Sequence, residues 1–218
     1  MGEAVRAAAA VACYDTQMGV TAIILAGGGS TRMGREKATI VLAGRTLLQR
    51  VIDAAAEVAD ETVVVCAPGR PFPDIEVRGP LRLTTDEVGG QGPLAGILAG
   101  LAVASSEVAL LLACDQPFVR PLLLRLLIAQ AAEAPVVIPL RDGQAQPLCA
   151  AIRVDAAPLL REAYERGSRA AAAVSDLPGT RLLDAATWRV VDPDGVSFAG
   201  ANTPEELARL EELAARLG

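Results

Sequence analysis

The 218-residue chain is 52% hydrophobic but only 3% aromatic, which suits one domain with a core of Ala, Leu and Val in helices layered on a sheet. Its 26 acidic and 20 basic side chains give a formal charge of -6 with no basic run, which excludes a nucleic-acid backbone as a natural partner. It has no histidine, which excludes Ser-His-Asp and Cys-His nucleophiles, phosphohistidine chemistry and His-liganded metals.

In chain order, residues 1–17 contain the run Ala7-Ala8-Ala9-Ala10-Val11-Ala12, too short and weakly apolar to span a membrane and without the basic start of a signal peptide. They read as a flexible extension ahead of a single domain over 18–218, with no membrane partner expected. Residues 20–25 form a short apolar β-branched run ended by three glycines, and 62–66, 81–84 and 108–112 are similar, all as buried strands. Residues 46–59 place Leu47, Leu48, Val51, Ile52, Ala55 and Val58 on one helical stripe, and 92–104 and 121–132 are also helix-like. The alternation implies a parallel sheet. Further on, 136–139 and 147–152 read as strands around an Arg141-Asp142-Gly143 turn, 155–166 and 168–174 as helices, and 180–183 and 188–191 as short strands. A last helix starts at Thr203, with Pro204 at its first position and Glu206 completing a capping box. Cys13, Cys66, Cys114 and Cys149 lack any short Cys-x-x-Cys spacing and read as buried thiols in a reducing cytoplasm.

The most informative segment is 25–37, Leu-Ala-Gly-Gly-Gly-Ser-Thr-Arg-Met-Gly-Arg-Glu-Lys, directly after the first strand. In an open α/β sheet that is the ligand-collecting edge. Gly27, Gly28 and Gly29 let bare backbone N–H groups approach an anion, and Arg32 and Lys37 supply opposite charge. A Walker loop fails because Gly34 is followed by Arg35, Glu36 and Lys37, and a dinucleotide fingerprint starting at Gly27 fails because position 32 is Arg32. Asp115, after the strand at 108–112, falls on the same edge, where a carboxylate can hold Mg²⁺ or cap the following helix. Gly92-Pro93-Leu94-Ala95-Gly96-Ile97 opens a helix whose free N–H groups can face a ligand, or whose small residues permit close packing.

The pattern Leu25-Ala26-Gly27-Gly28-x-Ser30-x-Arg32-Met33-Gly34-x-x-Lys37 resembles the signature of the molybdenum cofactor guanylyltransferases, within the wider nucleoside-diphospho-sugar transferase fold. Cys114-Asp115-Gln116-Pro117, the 92–97 loop and Asn202-Thr203-Pro204-Glu205-Glu206-Leu207 also match family motifs. The resemblance implies a three-layer Rossmann-like nucleotidyltransferase fold with a mostly parallel central sheet flanked by helices. It implies Leu25, Ala26, Gly27, Asp86, Gly92, Pro93 and Leu94 near the nucleotide, Arg32 and Gly28 on phosphates, Lys37 at the α-phosphate and Mg²⁺ on Asp115. Gln146 resembles a contact to the second substrate, though a hairpin turn also explains it, and Asn202 resembles a substrate or metal contact. Cys66 departs from the pattern, standing where the family often has a nucleotide-contacting asparagine.

The implied reaction joins GMP from GTP to molybdopterin already carrying molybdenum, with release of pyrophosphate. Catalysis would rest on positioning and electrostatics by Lys37, Arg32 and Asp115 with Mg²⁺. Implied protein contacts are transient, with cofactor-biosynthesis proteins or recipient molybdoenzymes. Two other readings remain open from sequence: a cytidylyl- or other nucleotidyltransferase acting on molybdopterin or a phosphosugar, and a non-catalytic subunit that binds nucleotide and delivers cofactor.

Overall fold

The computed structural model describes residues 18–27, 37–69, 71–86 and 91–217. The elements are β1 (Val20–Leu25), a 3-10 turn (Lys37–Thr39), β2 (Val41–Leu42), β3 (Arg45–Thr46), α1 (Leu47–Ala55), β4 (Glu61–Cys66), β5 (Leu81–Thr85) and α2 (Pro93–Val103). They continue through β6 (Val108–Ala113), α3 (Pro121–Ala131), β7 (Val136–Arg141), β8 (Gln144–Ala145), β9 (Cys149–Arg153), α4 (Ala157–Glu165), β10 (Arg181–Leu183), α5 (Ala185–Trp188) and α6 (Pro204–Leu217).

The main sheet has the order β10-β7-β9-β6-β1-β4-β5, with β8 attached to β7. β1 lies between β4 and β6 and runs parallel to both; β9 runs antiparallel to β6 and β7, and β8 antiparallel to β7. A strand flanked on both sides and covered on both faces is expected to be apolar nearly throughout, as β1 is. Ala22 and Ile24 enter a core shared with α1 and α3, while Ile23 enters a second core shared with α2 and α4. The result is the expected three-layer, mostly parallel arrangement.

α2 carries no charged or polar side chain and packs closely on the sheet through two glycines. A Cβ at Gly100 would lie 2.3 Å from the Cγ2 of Ile23, and one at Gly96 would lie 3.3 Å from the Cδ2 of Leu25. The glycines therefore set the distance between this helix and β1.

Several expected elements differ. β4 connects to β5 without a helix among the described residues of 67–80, so the strict alternation of strand and helix fails there. The strand expected at 188–191 is absent: Trp188 ends a helical turn whose start is capped by Asp184, which accepts from the Thr187 N–H at 2.8 Å. The Trp188 indole is buried edge-on against Phe198 and donates Nε1–H to the Leu140 carbonyl at 2.9 Å, so its apolar run serves a corner. Of the helix expected at 168–174 only a 3-10 turn, Ala171–Val174, forms. β2 and β3, a hairpin turning on Ala43 (φ 47°) and Gly44 (φ 81°), were not anticipated. Two-residue strands are too short to leave a periodic signature.

That hairpin has its own small core, in which Ile40, Leu42 and Leu47 meet Ala201 and Leu210 of the C-terminal region. The expected capping box is present at α6. The Glu206 N–H donates to Thr203 Oγ1 at 3.2 Å, and the Glu206 carboxylate accepts from the backbone N–H of Thr203 and of Asn202.

Candidate active site

The carboxyl ends of β1, β4 and β6 open into a cavity of about 490 Å³. Leu25 and Gly27 bring β1 to its wall, Cys66 closes β4, and Asp86 follows β5; Gly92 and Pro93 come from the start of α2 and Asp115 from beyond β6. This is the edge where ligands of open α/β sheets bind. Gly27 is required by space, because a Cβ there would fall 2.6 Å from the Ala67 nitrogen.

The N-terminal end of α2 is held in place by a segment far along the chain. The Arg169 carbonyl accepts from the Leu94 N–H at 3.1 Å, and its side chain donates Nε–H to Gln91 Oε1 at 3.0 Å while lying 4.1 Å over the Tyr164 ring. Gly92 adopts φ 83°, and a Cβ on it would sit 2.5 Å from the Arg169 oxygen. Gly92→Ala is therefore expected to push the helix start off its support, raising the KM for nucleotide by roughly tenfold with a smaller change in kcat. Steady-state kinetics at varied nucleotide check this; an unchanged KM would contradict it.

Asp86 presents an unusual acceptor. Its Oδ1 is buried without a hydrogen-bond partner, and burial pushes its carboxyl above the ordinary carboxylate range, only partly countered by its own backbone N–H. A buried acceptor in a cavity wall is suited to a ligand donor. Cys114 offers no nucleophile: burial, together with the neighbouring Asp115 carboxylate, pushes its thiol up to about 12.

On one side of the cavity three residues converge. The Lys37 Nζ donates to Asp115 Oδ2 at 2.7 Å and to Asn202 Oδ1 at 2.6 Å. Lys37 heads the 3-10 turn that leads into Ile40 and Leu42, which pack against Ala201. Gly200 lets the 199–202 segment pass beside Asp115, since a Cβ there would be 3.2 Å from the Asp115 carbonyl oxygen. The Lys37 and Asp115 side chains are 17% and 18% exposed, so the pair is shielded from bulk water while Asn202 remains on the outside.

The expected site residues are thus distributed unevenly. Leu25, Gly27, Lys37, Asp86, Gly92, Pro93 and Asp115 line the cavity, and Asn202 joins it through Lys37. Ala26 is buried with its N–H donated to the Val65 carbonyl, and Leu94 is fully buried with its N–H taken by Arg169; both build the wall from behind. Gln146 stands off the cavity, its side-chain amide donating to the Gln144 carbonyl and its backbone closing the β7–β9 connection, as the hairpin-turn explanation expects. Its neighbour Leu148 reaches the cavity instead. Gly28 and Arg32 lie outside the described residues. Arg169 and Gln91 escaped sequence reasoning, because an arginine after a helix carries no local sign of its distant partner.

The oxygens of Asp115 and Asn202 already hold one cation, the Lys37 ammonium, and a carboxylate with an amide oxygen is a donor set that suits Mg²⁺. Among the described residues no group of three or more Cys, Asp or Glu side chains could hold a metal. No helix among the described residues is long and apolar enough to cross a membrane.

Comparison with known proteins shows the family. A family model described as "MobA-like NTP transferase domain" matches residues 22–180. A molybdenum cofactor guanylyltransferase from Desulfosudis oleivorans is 36% identical over 194 residues, covering 88% of this chain and 94% of that protein. The crystal structure of molybdopterin-guanine dinucleotide biosynthesis protein A from Archaeoglobus fulgidus is similar, with a TM-score of 0.73 and 27% identity over 90% of this chain and 99% of that one. 2-C-methyl-D-erythritol 4-phosphate cytidylyltransferase from Thermus thermophilus, at 20% identity and a TM-score of 0.66 over 88% of this chain and 98% of that one, shares the fold. The resemblance carried by the Gly-rich loop and the later motifs therefore holds along most of the chain: it belongs to the MobA-like NTP transferase family.

Proposed function

We propose that the chain transfers GMP from GTP to molybdopterin, carrying molybdenum, and releases pyrophosphate to form the guanine dinucleotide cofactor. The observation that supports this best is the convergence of Lys37, Asp115 and Asn202 beside a cavity at the carboxyl edge of β1 and β6. The relationship to a guanylyltransferase over most of the chain supports GTP and molybdopterin as the substrates.

In this reading the terminal phosphate of molybdopterin forms a new P–O bond at the α-phosphorus of GTP, and the bond to the β-phosphate breaks with its electron pair leaving on pyrophosphate. The attacking oxygen is already anionic, so no general base is required and the lack of histidine is no obstacle. Lys37 neutralises charge at the α-phosphate, with Arg32 and Gly28 on the remaining phosphates. Asp86 accepts from a donor on the nucleotide, and the α2 N-terminus beyond Leu94 offers N–H groups to it. Asp115 and Asn202 would hold Mg²⁺, which supplies Lewis-acid polarisation of the phosphate oxygens when bound. In this reading the reaction runs in the cytoplasm, with transient contacts to cofactor-biosynthesis proteins or recipient molybdoenzymes.

The test is pyrophosphate release with molybdopterin and each of the four NTPs in turn. GTP is expected to exceed CTP, ATP and UTP by about a hundredfold. Preference for CTP would move the chain to cytidylyl transfer, and tight GTP binding without turnover would make it a delivery subunit.

A further inference from the structure

Lys37 occupies the position a cation would take. Its ammonium lies 2.7 Å from a charged oxygen of Asp115 and 2.6 Å from the neutral side-chain oxygen of Asn202. We propose that Lys37 is a built-in place-holder for the divalent cation: without nucleotide its ammonium fills the Asp115–Asn202 oxygen pair, and it leaves that pair only when a triphosphate offers it another partner. This rests on the nucleotidyltransferase reading of the same site.

Charge balance gives the reason. Asp115 and Lys37 neutralise one another in a partly shielded pocket, so a bare divalent cation must break that ion pair and then lie next to an ammonium. A triphosphate reverses the balance, because its oxygens attract the freed Lys37 and offset the added positive charge. The fold permits this movement without a change of backbone. Lys37 opens a turn anchored by the Ile40 N–H donating to its carbonyl at 3.1 Å, and by Ile40 and Leu42 in the small core, so a swing of the side chain is sufficient. A lysine suits the task, being a compact point charge on a flexible stem. The consequence is an order of binding: cation and nucleotide enter together, and the cation alone is resisted. The device also keeps Asp115 and Asn202 aimed at one point before any ligand arrives.

The test uses Mn²⁺ alone, without nucleotide, titrated against the whole chain and followed by the electron paramagnetic resonance of the free ion. Lys37→Gln is expected to bind Mn²⁺ roughly tenfold tighter than the unaltered chain. The double variant Lys37→Gln with Asn202→Ala is expected to lose that gain. Lys37→Met is the second variant, with the same expected tightening should Lys37→Gln not fold. Equal or weaker Mn²⁺ binding in the lysine variants would overturn the proposal, as would a gain that survives loss of Asn202. Because no nucleotide is present, the result is separable from the NTP panel. Tighter Mn²⁺ binding with no pyrophosphate from any NTP would sink the transfer reading alone, and pyrophosphate from GTP with no tightening would sink the place-holder alone.

Discussion

Asp115→Ala is expected to lower pyrophosphate release from GTP by about a thousandfold or more, with little loss of stability. The carboxylate stands just beyond β6, in contact with Lys37 and beside the 199–202 segment, so its removal takes away the partner that orients the lysine and, in the proposed reaction, the anchor for a cation. Its contribution to folding is small by comparison. The pair is shielded, at 17% and 18% exposure, but Lys37 keeps Asn202 as an acceptor when Asp115 is lost, so the cost to folding is expected to be about 1–2 kcal/mol, against roughly 5–15 kcal/mol for a domain of ordinary stability. Asp115→Asn is a useful intermediate: it keeps an oxygen at the site, drops the charge and is expected to lose most of the activity as well. Single-turnover pyrophosphate release, together with a thermal melt, reads both effects. Activity within tenfold of the unaltered chain would remove Asp115 from the chemistry, whereas a collapsed melt would make it a structural residue.

Gly100→Ala tests packing, with two opposing terms of known size. In an exposed helix the change gains roughly 1 kcal/mol, because glycine is a poor helix former. Here the added methyl would meet the Cγ2 of Ile23 at 2.3 Å, on a β-branched side chain that is fully buried and has no free end to swing aside. Overpacking of that kind costs about 1–3 kcal/mol, so the net effect is expected to be destabilising. The neighbouring Gly96→Ala, with its nearest contact 3.3 Å away on a leucine methyl, is expected to be near neutral. Denaturant unfolding of both variants checks the difference. The double variant Gly100→Ala with Ile23→Ala is expected to be less unstable than the sum of its parts, because the clash disappears with Ile23. Strict additivity would show that α2 does not touch β1 in this way.

The parallel half of the molecule was legible because most of its strands are buried on both faces and read as short apolar runs between turn signals. β1 falls at 20–25 as expected, and β4, β5 and β6 differ from expectation by a single terminal residue each, but β5, expected to be buried, is an edge strand that leaves Leu81 and Leu83 exposed. The C-terminal helix was legible for a different reason: Thr203, Pro204 and Glu206 encode its start locally. Trp188 was misread because an aromatic close to β-branched residues looks like a strand, while the decisive interaction, the capping carboxylate of Asp184, lies earlier in the chain. The site was partly legible. Their places after β1 and β6 pointed to Lys37 and Asp115, and the family resemblance to Asn202, one at a time, but nothing in the sequence joins Lys37 to a residue 165 positions away. Gly100 was hidden for the same reason, since its meaning lies in the position of Ile23 across an interface.

The long reach of the Lys37–Asn202 contact also bears on how the protein is made. A chain emerging from the ribosome presents β1, β4, β5, α2 and β6 first, which provide most of the walls of the cavity. Asn202 and the helix behind it come out after them, and closing so long a loop is entropically the most demanding contact of the site. Newly made chains are therefore expected to pass through a stage with the proposed nucleotide cavity but without the Lys37–Asn202 contact. In a synthesis time course, nucleotide binding should appear before turnover, separated by the interval needed to release and dock α6.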